Sequence, residues 1–132
     1  RTTADGPATT GAATMPAATL TLSSDLGLAA PISRPPCDGR YITLLGAAVT
    51  TGKYADQIAG LLQQFSGSSY MRTEDVCASL RPRMPDGSDI YVVFYGPFVD
   101  VNDACEARAF GPVDAYVKVL DGYSDPTTAI DC

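Results

Sequence analysis

The chain carries one short pattern twice, and that repeat restricts the folds open to it more than any other feature. The ten residues from Arg40, RYITLLGAAV, lie under the ten from Ile90, IYVVFYGPFV, so that Tyr41 corresponds to Tyr91 and Gly46 to Gly96 at an offset of 50 residues. Each copy reads as a strand of β-branched and aromatic residues ending near a glycine, where the missing side chain permits a bend. Each is followed by a helical pattern. In residues 50–65 the apolar Ile58, Leu61, Leu62 and Phe65 fall at i, i+3, i+4 and i+7, one stripe of a helix, with Thr50 or Thr51 as N-cap and Gly67 as C-cap. Residues 100–110 form a shorter helix capped by Asp100 or Asn102 and stopped by Gly111-Pro112. Further strands follow at 69–74 and 115–120.

Strand, helix, strand, repeated once, is βαββαβ. This is an α+β fold of the ferredoxin-like kind, with one antiparallel sheet and both helices on one face. Residues 75–88 between the halves read as a loop, with one helical turn within 74–80. The tail after Leu120 is turn-rich until Cys132.

Along a strand, alternate residues share a face. Ile42, Leu44, Met71, Ile90, Val92, Phe94, Val117 and Val119 make a plain aliphatic set, assigned here to the helix side. The opposite parity holds Tyr41, Thr43, Leu45, Tyr70, Arg72, Glu74, Tyr91, Val93, Tyr95, Tyr116 and Lys118, with five of the seven tyrosines. Tyrosine offers a flat apolar body with a polar tip. Tyr41, Tyr70, Arg72, Tyr91, Tyr95, Tyr116 and Lys118 are therefore the candidate ligand- or partner-binding face. Three occupants compete for it: a sugar or peptide ligand, a second copy of the domain, or the preceding segment around Leu20–Leu28, where leucines alternate as in a weak strand.

That segment belongs to residues 1–36, which have no aromatic residue and four charges and are rich in Ala, Thr, Ser and Pro. Such a composition buries too little apolar surface to offset the entropy of ordering, so it reads as a stalk or arm preceding a domain at 37–132. All four cysteines, Cys37, Cys77, Cys105 and Cys132, lie in that domain. An even count with no CxxC spacing and no histidine favours two disulfides over a zinc site, hence an extracytoplasmic compartment. Four cysteines allow three connectivities. Closing the two ends of the domain favours Cys37–Cys132, which leaves Cys77–Cys105. With neither a signal peptide nor an apolar run long enough to span a bilayer, an exported domain of this kind is expected to be part of a longer chain, its membrane span outside this stretch.

The net charge of −6 argues against nucleic acid and anionic lipid, which need clustered Lys and Arg. Without histidine the commonest general base is missing, and paired cysteines supply no thiolate. No serine sits in a GxSxG elbow and no phosphate loop is present. Asp121, Asp125 and Asp131 lack the spacing of a calcium loop. The expectation is a non-enzymatic domain with no cofactor and no metal.

YITLLGAAV and YVVFYGPFV, each followed by an Ala-bearing helix, resemble the SPOR domain, a βαββαβ module that binds glycan strands of peptidoglycan. Cys37-Asp-Gly, YMRTEDVCASLR at 70–81, Cys105 and AYVKVLDGYSDPTTAIDC at 115–132 together resemble a four-cysteine module at the extracellular end of actinobacterial receptor-like serine/threonine kinases. The second resemblance implies a sensor or dimerisation domain whose partner is a second copy of itself, beyond a stalk that residues 1–36 would match. The first implies a cell-wall glycan or peptide ligand.

Overall fold

A computed structural model describes residues 24–132 of the chain. The strands are β1 (Tyr41–Ala48), β2 (Ser69–Arg72), β3 (Tyr91–Phe98) and β4 (Tyr116–Val119), and the helices are α1 (Tyr54–Gln64) and α2 (Val101–Ala107). The strand order is β2-β3-β1-β4, with antiparallel neighbours throughout. This is the βαββαβ arrangement that the repeat predicts. Asp100 caps α2, its carboxylate accepting from the Asn102 N–H at 2.8 Å. At α1 neither threonine caps. The N-cap is Lys53, with no side-chain bond, and Lys53 instead donates its backbone N–H to the Thr50 carbonyl.

Gly46 lies inside β1, not at its end. A Cβ there would come within 2.9 Å of the Leu61 side chain, so the missing side chain makes room for α1. Its counterpart Gly96 has φ +112°, a conformation that favours glycine.

The two faces are the reverse of the expected ones. The helices lie on the tyrosine face: Tyr70, Tyr91, Val93 and Leu45 are buried with Ile58 of α1 and with Phe65, its C-cap, and Thr43 donates its hydroxyl to the Ala104 carbonyl of α2 at 2.6 Å. The aliphatic residues Ile42, Leu44, Met71, Ile90, Val92 and Phe94 look the other way and form a second core with Cys77, Leu80 and Leu120. Parity sorts the residues of β1 and β3 into the right sets without saying which set meets the helices. In β4, by contrast, Val117 and Val119 do face the helices and Tyr116 and Lys118 face away, as expected, so these last two part company with the other tyrosines. Thr43 pairs with Val117 and Tyr41 with Val119, whereas Leu44 pairs with Tyr116 and Ile42 with Lys118. Directly opposed residues share a face, so Tyr116 and Lys118 lie on the aliphatic side.

What covers that side is the segment after β2. A short 3-10 turn, Thr73–Asp75, ends the strand, and the chain then crosses the sheet to β4. There the Ser79 N–H donates to the Asp121 carbonyl at 3.1 Å and the Ser79 hydroxyl to the Val119 carbonyl at 2.6 Å. Cys77 thereby arrives beside the start of β1 and bonds to Cys37, while the tail returns along β4 through an Ile130–Val117 bridge and closes Cys132 onto Cys105 of α2. The pairings are therefore Cys37–Cys77 and Cys105–Cys132, and the expected Cys37–Cys132 and Cys77–Cys105 are corrected. The crossing is the reason, because it carries Cys77 away from the end of β2 to the opposite edge of the sheet.

Non-reducing peptide mapping should recover these two bridges and no other. Replacing Cys37 and Cys77 together by serine opens a loop of 40 residues and should cost about 3–4 kcal/mol by loop-closure entropy, read as a lowered urea midpoint.

Candidate functional site

Beneath α1, Tyr70 and Tyr91 are 0 % and 5 % exposed, and their rings lie with centroids 6.4 Å apart. Their hydroxyls emerge at the β2 edge of the sheet and meet the segment that precedes the domain. Tyr91 donates to the Ser24 carbonyl at 2.8 Å, and Tyr70 donates to Asp25 Oδ1 at 3.1 Å while accepting from the Leu26 N–H. Asp25 also accepts from the backbone N–H groups of Gly27 and Ile32, which fold the segment back on itself. Leu26, Leu28 and Ile32 then pack on the tyrosine core, and Ile32 bridges Tyr70 in parallel, with Ser33 N–H on the Tyr70 carbonyl. The arm is thus the occupant of this face that the structure describes, with α1. Leu20 and Leu22, the other half of the expected alternation, lie outside the described residues.

Next to the arm runs a chain of alternating charges. Arg72 holds Asp75 with two hydrogen bonds of 3.0 and 2.7 Å and reaches Asp89 at 3.6 Å. Arg34 meets Asp75 at 3.6 Å, and Arg83 joins Asp89 to Glu74. Arg72 is therefore occupied by a structural ion pair. Burial works against the charge on Asp75, but hydrogen bonds from Arg72 and Ser24 and the positive charges of Arg72 and Arg34 outweigh it, so its carboxyl titrates below the usual 3.8. The Gly27 N–H, then the Ile32 N–H, hold Asp25 below 3.8 as well. Burial pushes the hydroxyls of Tyr70 and Tyr91 up, which keeps both as neutral donors.

Of the seven residues expected to form one binding face, then, Tyr70, Tyr91 and Arg72 are engaged within the fold. Tyr116 and Lys118 stand on the other side of the sheet, and Tyr41 is half-buried at the start of β1. Tyr95 alone of the seven reaches the groove between the two helices. This groove, of about 840 Å³, runs between the C-terminal end of α1 and α2 and is lined by Gln64, Ser66, Tyr95, Phe98, Asp103, Glu106 and Phe110. Its size is that of ligand clefts. Three aromatic rings supply surfaces for stacking, while the amide and two carboxylates supply hydrogen-bonding groups.

The sequence reading passed over Phe98, Asp103, Glu106 and Phe110. Phe110 carried a signal, since Gly111-Pro112 stops the helix immediately after it. A large ring held at a helix stop is not free to swing into the core, and here it is 74 % exposed. The acids Asp103 and Glu106 had none, because exposed carboxylates on a short helix are ordinary.

Among the described residues, no His/Cys/Asp/Glu group is arranged to hold a metal ion. Asp121 and Asp125 spend their carboxylates on turns, accepting from Ser124 and Thr127. Two closed disulfides fit an oxidising, extracytoplasmic environment, and no described helix is long and apolar enough to cross a membrane. No protein-family model, curated protein or solved structure matches the chain.

Because Asp25 and Asp75 titrate lower in the folded than in the unfolded chain, the stability they contribute is complete above 3.8 and is lost as pH falls through their lowered values. Urea midpoints measured downward from pH 6 should hold to about pH 4 and then drop. Asp75→Asn should lower the midpoint at pH 6 and flatten that acid slope.

Proposed function

We propose that the domain is a non-catalytic extracytoplasmic sensor that works by bringing two copies of itself together. The observation that supports this is the apolar patch after α2, where Phe110 is 74 % and Val113 106 % exposed. Val99, Tyr116 and Tyr123 are exposed as well, but Phe110 and Val113 line one hollow, and the sheet itself is covered: the helices and arm lie on one face, the crossing segment on the other, and Ile32 and Ile130 pair with the two edge strands. Exposed apolar surface concentrated in one place marks an interaction site. Glu106 and Arg108 border the patch, so a two-fold axis through it can set each against the opposite charge of the other copy.

On the resemblance to receptor-like kinases, a serine/threonine kinase would occupy another part of the parent chain across the membrane. Association outside would then raise the effective concentration of two kinases inside, with no chemistry in this domain. Sedimentation over a concentration series should show mass rising toward a dimer, and Phe110→Asp should weaken association by about tenfold or more. A wild-type protein that stays monomeric into the millimolar range would sink the proposal.

A second reading is a module for cell-wall glycan, favoured by Tyr95, Phe98 and Phe110 lying in one groove with Gln64, Asp103 and Glu106. Rings for stacking beside amide and carboxylate groups suit a chain of sugars. Co-sedimentation with purified glycan strands should be lost in Phe110→Ala. Tyr91→Ala does not test this reading, since it opens the core and should cost about 3–5 kcal/mol of stability.

A further inference from the structure

On the sheet face away from the helices, the crossing segment and the tail do not quite meet. Between them is a crevice of about 310 Å³ with an apolar floor of Leu44, Ile90 and Val92 and with Met84 on its wall. A smaller hollow, shared by Leu44, Val92 and Tyr116, adjoins it. Two cations, Arg81 and Lys118, line the same crevice.

These two cations differ from most others in the domain. Arg34, Arg40, Arg72 and Arg83 each have a carboxylate within ion-pair distance. Among the described residues, no carboxylate lies within that distance of Arg81 or Lys118, although the chain has a net charge of −6. Lys118 is 4 % exposed, and its ammonium donates to the carbonyls of Asp125, Pro126 and Thr128 at 3.3, 3.0 and 2.8 Å. Those carbonyls satisfy its hydrogen bonds and leave its charge in place. Burial pushes the Lys118 pKa down, against the more distant charges of Asp125 and Asp121. Arg81 is different in kind: its backbone carbonyl is fixed by the Thr73 hydroxyl, while its guanidinium is exposed and offers a planar fork of donors.

An apolar floor beside a buried positive charge and a free guanidinium selects for one ligand chemistry. A neutral apolar molecule would leave the charge uncompensated, and a cation would be repelled. We propose that the crevice binds a small amphipathic carboxylate, its hydrocarbon part on Leu44, Val92 and Met84 and its carboxylate on the Arg81 fork within the field of Lys118. Charge-assisted, two-point binding of a carboxylate by arginine supplies both orientation and affinity.

The test is titration of the isotope-labelled 132-residue protein with octanoate, and with octylammonium and octanol as charge-reversed and neutral controls. Octanoate should saturate at one equivalent and shift the amide signals of Leu44, Val92 and Tyr116, with both controls weaker by about tenfold or more. Arg81→Glu, at an exposed side chain, should weaken octanoate by about tenfold or more as well. Lys118→Met should weaken it if the variant folds, and the Arg81 variant decides the matter if it does not. Octylammonium binding as well as octanoate, an unchanged Arg81→Glu, no saturable shift in the millimolar range, or shifts confined to the groove at Tyr95 and Phe98 would each overturn the proposal. The readout is independent of self-association, which rests on a different surface.

Discussion

Ser79 has no exposed surface and makes three hydrogen bonds to one short stretch of chain. Its N–H donates to the Asp121 carbonyl, its hydroxyl donates to the Val119 carbonyl, and the same hydroxyl accepts from the Asp121 N–H. This pin matters because a sheet with two helices on one face leaves its other face bare, and a bare face of Ile42, Leu44, Val92 and Phe94 would be an aggregation site. By fixing the crossing segment to the end of β4, Ser79 brings Leu80 and Cys77 onto that face as a second core and delivers Cys77 to its partner. The Cys37–Cys77 bridge holds the same crossing covalently, so the two constraints reinforce each other.

The order of elements was legible because each half of the repeat contains its own strand signal, helix stripe and stop, all local in sequence. Which face the helices cover was not. The aliphatic set suits a core, and so does the tyrosine set once the arm supplies partners for the hydroxyls; alternation sorts residues by face but attaches no label to either. In the four-residue β4, Lys118 made matters worse. It reads as an outward residue, yet its stem and ammonium are enclosed, because the tail turns three carbonyls toward it. Two disulfides were legible from the cysteine count, but their pairing was not, for a related reason. Residues 75–88 have the composition of a loop, and loop composition carries no record of the path that brings Cys77 across the sheet.

Much the same holds for the candidate site. Tyrosines were the conspicuous residues, and two of them, Tyr70 and Tyr91, are conspicuous because they must combine a buried ring with a satisfied hydroxyl. The surface that remains open is built from less noticeable parts, an aromatic at a helix stop and acids on a short helix. Residues that fail to find a place inside are informative, whereas the most regular pattern in a strand usually describes its core.

The arm changes what the segment before the domain can do. Residues 24–34 share the composition of a passive spacer, yet they are attached to the core through Tyr70 and Tyr91 and lie parallel to β2 at Ile32. A pull on the chain ahead of Ser24 therefore does not simply straighten a leash. The load meets two tyrosine hydroxyls and an edge contact with β2 before it reaches Cys37. Whatever precedes Ser24 is thereby joined to the core by side-chain hydrogen bonds and apolar packing, and not by the peptide chain alone.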